Sequence, residues 1–471
     1  MQQHANLNRR DMLRTCATGF GHLALLGMLG RNASAAKDTP TAASPLAHRL
    51  PATHHAAKAK RVIFLFMHGG PSHVDTFDYK PKLFEDDGKP LPFDKPRIQF
   101  AQTSNLFRPR WDFKPHGACG HMISELFPHT ATHADELCLV RSVHGTNEAH
   151  GGALLKLHTG SDSLVRPSMG SWITYGLGTE SQNLPGFITM GPTLGHGGSG
   201  NWSSSFLPAS NQGTRIGSTR QPIAESNIPF LEPIQSDAAK QRRQIDLVQA
   251  MNRQHMASRT DPILEARIRS FELAYNMQME APEVMDLSGE SKATKELYGI
   301  NNPTTDNFAR QCLLARRFVE RGVRFVQCTQ GYWDQHSNLE QEHASLAEKC
   351  DQPIAGLLGD LKGRGLLDET LVIWGGEFGR TPTLQGKSGR DHHPHAFTMW
   401  MAGGGVRGGM SYGETDEYGF YCVKNKVHVH DLHATILHLL GLDHERLTYA
   451  YGGRDFRLTD VYGDVVHDII S

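Results

Sequence analysis

This chain lacks an excess of charge of either sign. With 48 Lys and Arg against 49 Asp and Glu, the net charge is −1 at neutral pH. Binders of nucleic acid or anionic membrane usually present a basic surface, so neither partner is expected. Cysteine is sparse, at 7 of 471 residues, and without a Cys-x-x-Cys pair a zinc-finger site is not expected. Cys119, Cys138, Cys312, Cys328, Cys350 and Cys422 stand singly, the usual pattern of buried small hydrophobes, although an oxidising compartment would permit disulfides. Beyond the N-terminus no apolar run is long enough to span a bilayer, which takes roughly 20 residues. No internal repeat is found.

The remaining composition, 38% hydrophobic and 21% charged, is globular. The length fits about two to three ordinary domains, or one large α/β domain with insertions. Histidine is the outlier at 27 residues, a weak pointer to metal chemistry.

The first 35 residues read as an address. Arg9-Arg10 precedes an apolar, Gly-rich run from about Ala17 to Leu29, and Ala33-Ser34-Ala35 resembles a cleavage site. The pattern resembles a twin-arginine export signal, with the export machinery as a partner and a periplasmic or extracellular destination. Residues 36–59, rich in Ala, Pro and Thr toward their start, read as a flexible linker.

The folded domain is expected over 60–471. Arg61 to Met67 is a continuous apolar run that fits a buried parallel strand. Similar runs occur at Leu137–Val143, Val323–Cys328, Thr370–Trp374 and Phe397–Met401. Helical patterns lie at Asn307–Arg321, Leu339–Cys350, Ile354–Arg364 and Leu432–Leu440, the last capped by Asp431. This alternation predicts an α/β fold, a mostly parallel β-sheet sandwiched between helices. An insertion is expected at about 180–300, with irregular loops over 185–235 and polar helices over 236–300.

In such sheets ligands gather at the carboxyl ends of the strands. His68, His73 and Asp75 follow the first strand, Asp334 and His336 the third, and Glu377 and Arg380 the fourth. Asp391, His392, His393 and His395 precede the last. Singly, an Asp-x-His is usually a surface turn. Together the four segments form a mixed His/Asp/Glu set suited to one or two divalent ions, Zn, Mn or Fe, with Ca compatible. His393 and His395 alternate, so at most one faces such a site. His428, His430, His433 and His438 read as packing groups.

Leu366 to Gly379 looks like a sulfatase stretch, and Asp431 to Leu442 resembles the sulfatases' late Asp-x-x-Pro-Thr-Leu helix. More closely, Gly69-Gly70-Pro71-Ser72-His73-Val74-Asp75-Thr76-Phe77-Asp78, Trp333-Asp334-Gln335-His336, Gly376-Glu377-Phe378-Gly379-Arg380-Thr381-Pro382 and Gly389-Arg390-Asp391-His392-His393-Pro394 are similar to the DUF1501 family. That family is a branch of the alkaline phosphatase and sulfatase superfamily, and its members often carry twin-arginine signals. The resemblance spans nearly all of residues 60–465.

The resemblance implies an alkaline-phosphatase-like core and a metal shell of His68, Asp75, Asp334, His336, Glu377, Asp391 and His392, to which His73 is added from its place after the first strand. The superfamily's Asp-His turn is matched by Glu377-Phe378, so one carboxylate survives and one imidazole is lost. His150-Gly151-Gly152-Ala153-Leu154-Leu155-Lys156-Leu157-His158-Thr159-Gly160 aligns with the sulfatase nucleophile motif. His150 stands at the nucleophile and Leu154 at its arginine, so a formylglycine sulfatase is not expected. His150 is then either a ligand or nucleophile at the reacting centre, or structural. Thr146, Asn147 and Ser72 are fallback polar groups. Arg380 either clamps an anionic substrate oxygen or only holds its loop.

Three functions follow. The first is an exported metal-dependent hydrolase of phosphate or sulfate esters, on a small-molecule or polysaccharide substrate, with His150 and Arg380 as catalytic residues. The second is a catalytically degenerate binding or assembly protein that keeps a structural metal. The third is a mutase or transferase.

Overall fold

The computed structural model describes residues 51–95, 101–226, 238–256 and 262–471. The expected signal, and the linker up to residue 50, lie outside the described residues. Nine strands form the main sheet. They are β1 (Arg61–His68), β2 (Leu137–His144), β3 (Phe187–Met190), β4 (Thr214–Ile216), β5 (Phe325–Gly331), β6 (Thr370–Gly375), β7 (Phe397–Ala402), β8 (Met410–Tyr412) and β9 (Val427–His428). Their order is β8-β2-β7-β6-β1-β5-β3-β4, with β9 also on β2.

The longer helices are α1 (His150–Thr159), α2 (Met169–Leu177), α3 (Ala238–Met256), α4 (Pro262–Met285), α5 (Asp306–Glu320), α6 (Leu339–Gly363) and α7 (Val429–Leu439). The apolar run of β1 is central because both its faces are covered. Ile63, Leu65 and Met67 pack in one core with α5 and α6. Val62, Phe64 and Phe66 pack in a second core with α1, α2 and α7. Period-two alternation thus sorts one strand between two helical layers. Each large side chain buried this way contributes about 1.5–3 kcal/mol. The chain is therefore α/β with a mostly parallel sheet.

One strand breaks the parallel pattern. β7 runs antiparallel to both β6 and β2, whereas every other main-sheet pairing is parallel. Its start therefore lies at the edge where β1, β5 and β6 end. That orientation brings the 391–395 segment, which precedes a strand, beside segments that follow strands.

Several elements differ from expectation. The segment 180–226 is not purely an insertion of loops, because β3 and β4 extend the central sheet beyond β5. Their runs of three and four residues, set among Gly, Ser and Asn, give too little periodicity to read. Expected helices at 339–350 and 354–364 are one 25-residue helix that runs through Pro353. Pro353 removes one backbone donor, but buried Cys350, Pro353, Ile354 and Leu357 hold the helix together. Asp431 is not the α7 cap. His428 is, and Asp431 closes a capping box by accepting from the His428 N–H at 2.7 Å. The six described cysteines are free.

Candidate metal centre

Two close approaches assemble the site. Gly69, just past β1, has φ +109°, and a Cβ there would lie 2.5 Å from the Trp333 nitrogen. Gly70, with φ +83°, would strike the Phe378 ring at 2.6 Å. Only glycine lets the loops after β1, β5 and β6 close over one another. The Gly69 N–H donates to both Glu377 carboxylate oxygens at 3.0 and 3.1 Å, and the Trp333 N–H to the His68 carbonyl at 2.8 Å. A two-residue ribbon pairs Gly379–Arg380 with His392–His393, so His392 lies opposite Arg380.

Asp334 stands at the centre. Its Oδ1 is 2.9 Å from His336 Nε2, 3.0 Å from His392 Nε2 and 3.3 Å from His150 Nε2. Arg380 donates to the same oxygen at 2.7 Å. Burial alone would raise the Asp334 pKa, but protonated His150 and the Arg380 guanidinium beside it hold it below the usual carboxylate range. His150 opens α1, and its Nδ1 lies 2.8 Å from Glu377 Oε1. Burial would lower the His150 pKa, yet Asp334 and Glu377 lift it to about 8. His392 Nδ1 lies 2.6 Å from the Glu148 carbonyl. Burial dominates there and lowers the His392 pKa despite Asp334.

The tautomers these contacts impose are informative. A carbonyl or a carboxylate only accepts, so the Nδ1 of His392 and that of His150 must each carry a proton. When these rings are neutral, each Nε2 is a lone pair facing the Asp334 carboxylate. Electron pairs do not attract one another, so the arrangement needs a positive charge among them. Protonated His150 supplies one, and a divalent cation would supply more. Ligands bound at roughly 2.0–2.1 Å around one ion stand about 3.0–3.4 Å apart, close to the separations seen. Ligand atoms of His150, Asp334 and His392 lie within 4.8 Å of one another. The donor set therefore fits a divalent cation, and His336 Nε2 adjoins it, 3.1 Å from His392 Nε2.

Glu377 and His68 form the outer wall. The His68 Nε2 is buried and without a hydrogen-bond partner among the described residues. Burial, against the pull of Glu377, lowers its pKa to about 4. Its ring lies 6.2 Å from that of His150. Asp391 Oδ1 is 3.6 Å from His336 Nδ1 and has no hydrogen-bond partner among the described residues.

Other expected members lie elsewhere. His73 does not join the cluster: its Nε2 bonds to the Gly419 carbonyl at 2.8 Å and its ring stacks on His393. Asp75 does not either, because it forms a fully buried pair with Arg390 at 2.7 Å and accepts from Ser72. The short helix His73–Thr76 turns both away from the strand end. Arg380 is not free to clamp a substrate oxygen. Fully buried, it donates to the carbonyls of Gly69, Gly70 and Trp333 as well as to Asp334, which makes it the brace of the loops. His393 bonds to the Phe420 carbonyl and His395 stacks on the Phe420 ring. Ser72 is committed to Asp75, and Asn147 Oδ1 accepts from the Ala149 N–H ahead of α1.

Two residues outside the expected set stand beside the cluster. His196 stacks on His150 with ring centroids 4.9 Å apart, and Tyr332 lies 5.5 Å from His150 and 41% exposed. Tyr332 directly follows β5, a position that could have flagged it. His196 is a lone histidine in a Gly-rich loop and gives no signal. Both line the solvent side of the cluster.

Comparison with known proteins places the chain. Among solved structures, Ps i-CgsB in complex with k-i-k-neocarrahexaose is similar with TM-score 0.37 and 10% identity, covering 81% of this chain and 72% of that one. The lipoteichoic acid synthase LtaP from Listeria monocytogenes gives 0.36 and 10%, covering 86% and 76%. A variant of the alkaline phosphatase from the Antarctic bacterium TAB5, with Mg bound, gives 0.36 and 11%, covering 82% and 99%. Likenesses this distant decide neither reaction nor substrate. No curated protein matches. The family model described as protein of unknown function (DUF1501) matches residues 59–470, and the chain belongs to that family.

Proposed function

We propose that the protein is an exported, metal-dependent hydrolase of phosphate or sulfate esters, on a small-molecule or polysaccharide substrate. The observation that carries this reading is the convergence of His150, His336 and His392 Nε2 on Asp334 Oδ1 from three separate segments. In this reading Asp334, His392, His150 and His336 hold a divalent cation, Zn, Mn or Fe, with Ca compatible. His68, Glu377 and Asp391 stand as nearby donors for that ion or a second. Bound there, the cation would polarise an ester oxygen and lower the pKa of water toward neutrality.

The chain's own groups have separable tasks. Glu377 fixes the His150 tautomer through Nδ1. The Glu148 carbonyl does the same for His392. Arg380 positions Asp334. Tyr332 and His196 face the open side, where a substrate would lie. Export by the twin-arginine route would let the cation be inserted before the folded protein leaves the cytoplasm. Among the described residues no helix is long and apolar enough to cross a membrane.

The commitment of Arg380 and Ser72 elsewhere favours a second reading. With that guanidinium and that serine hydroxyl both committed, the protein would be an exported binding or assembly protein that keeps its cation for structure. Elemental analysis of mature protein purified without chelators, as wild type and as Asp334→Ala with His392→Ala, comes first. About one to two equivalents of Zn, Mn or Fe, lost in the variant, support the metal centre. Turnover in a screen of phosphate and sulfate esters then supports the hydrolase. Metal without turnover supports the second reading. No metal in folded protein offered Zn²⁺ and Mn²⁺ refutes both.

A further inference from the structure

A second surface, sharing no residue with the Asp334 cluster, is built from aromatic rings supported from behind. The sequence Tyr449-Ala450-Tyr451-Gly452-Gly453-Arg454-Asp455-Phe456 folds as a hairpin, with Tyr449 opposite Phe456 and Tyr451 opposite Arg454. Gly452 and Gly453, at φ +57° and +83°, make its turn. Alternation puts Tyr449, Tyr451, Arg454 and Phe456 on one face. Phe206 packs under that face, stacked against Tyr451 at 4.9 Å and 13°. Tyr451 is nevertheless 55% exposed, so its other face meets solvent. Tyr462 repeats the arrangement. It stacks on His430 at 5.1 Å and 20° and is 60% exposed. His430 is itself fixed by the Gly160 carbonyl.

Asp460, two residues before Tyr462, ties that segment to the hairpin. It pairs with Arg166 at 2.9 Å and with Arg454 from the hairpin. Both guanidinium groups lie over the Phe456 ring, at 5.6 and 4.9 Å. Two guanidinium groups share one carboxylate, so the cluster keeps an excess positive charge. Arg166 is more than nine-tenths buried, and its Nε has no hydrogen-bond partner among the described residues.

Single exposed aromatics are ordinary. Two flat rings, each held by a partner behind it and joined by an under-neutralised arginine pair, are a preorganised surface. The negative face of such a ring suits the C–H face of a pyranose, whose hydrogens carry partial positive charge. Arg454, its side chain 46% exposed, suits a sulfate or carboxylate on the same sugar chain. We propose that the surface carrying Tyr451, Tyr462 and Arg454 binds oligosaccharides bearing sulfate or carboxylate groups.

Affinity electrophoresis of the mature protein tests this, in gels containing carrageenan (sulfated), alginate (a uronate polymer) or dextran (neutral). One or both acidic polymers should retard the wild type and dextran should not. Tyr451→Ala with Tyr462→Ala should weaken retardation by about tenfold or more, while the metal content and the unfolding midpoint stay unchanged. If that variant unfolds, Arg454→Gln, which leaves the rings in place, should still weaken it. Retardation by none of the polymers, or equal retardation by dextran, overturns the proposal. So does retardation that the folded tyrosine variant retains, which would be simple ion exchange.

Discussion

Replacing Asp334 by Asn tests the electrostatics of the centre, because the side chain keeps its shape and loses its charge. In metal-free protein the change should destabilise by about 2–3 kcal/mol. Removing one partner of a buried ion pair costs about 3–5 kcal/mol. The lower figure applies here because Arg380, fully buried, keeps backbone carbonyl partners and because the Asp334 side chain is 13% exposed. The second effect is sharper. Adding Zn²⁺ or Mn²⁺ to EDTA-stripped wild type, at free concentrations about a hundred times Kd, should stabilise it by about 2.7 kcal/mol. At about 2–4 °C per kcal/mol for domains of 150–250 residues, and less for this larger one, the midpoint should still rise by several degrees. The Asn variant should show little or no rise, because the lone pairs of His150 and His392 no longer face an anion. Thermal unfolding with and without metal, alongside elemental analysis, reads both effects. A variant that responds to metal as fully as the wild type would refute the assignment of Asp334 as the central ligand. A wild type that responds to no divalent ion would refute the site.

His150 gives a pH prediction. Its folded pKa, about 8, lies above the ordinary value of 6.5, so in metal-free protein its stabilisation is fully present below pH 6.5 and is lost as pH rises through 8. That contribution is about 2 kcal/mol, read from denaturant midpoints at pH 6 and pH 9, and a His150→Gln variant should flatten it. Metal affinity should move the opposite way, rising by about tenfold per pH unit up to pH 8 for each proton displaced, as titration with a competing chelator would show. Asp75→Ala should cost about 3–5 kcal/mol by stranding buried Arg390, with metal stoichiometry unchanged, separating the fold's ion pair from the site's. Gly69→Ala should lose more than about 1 kcal/mol and weaken metal retention together, since its Cβ would force the loop of Trp333 and Asp334 away.

Much of the site was legible because strand ends are legible. The runs ending at His68 and before Glu377 are apolar on both faces, and the one before Asp334 opens with Phe325 and Val326, so the polar residues beyond them had to emerge at one edge. The 391–395 segment joined them for a reason that periodicity does not encode, the reversed direction of β7. Membership beyond the edge was harder to read. His73 and Asp75 follow the same strand as His68 by a few residues, but a single helical turn after Pro71 rotates them inward, toward Gly419 and Arg390. Spacing along a loop does not show which way a turn folds.

Arg380 shows the limit most clearly. Its place beside Glu377 fits equally a clamp for a substrate oxygen or a brace. What decides is the number of carbonyls that converge on it, and those belong to Gly69, Gly70 and Trp333, remote in sequence. The same holds for the centre itself. The sequence offers four nearby carboxylates, Asp75, Asp334, Glu377 and Asp391, without ranking them. Asp75 is neutralised by Arg390, and Glu377 is spent on Gly69 and His150. Asp334 alone receives imidazole nitrogens whose protons are held on the far side of the ring, at Glu148 and Glu377. The proposed ligand is singled out by where its neighbours keep their protons, a property of contacts between residues more than two hundred positions apart.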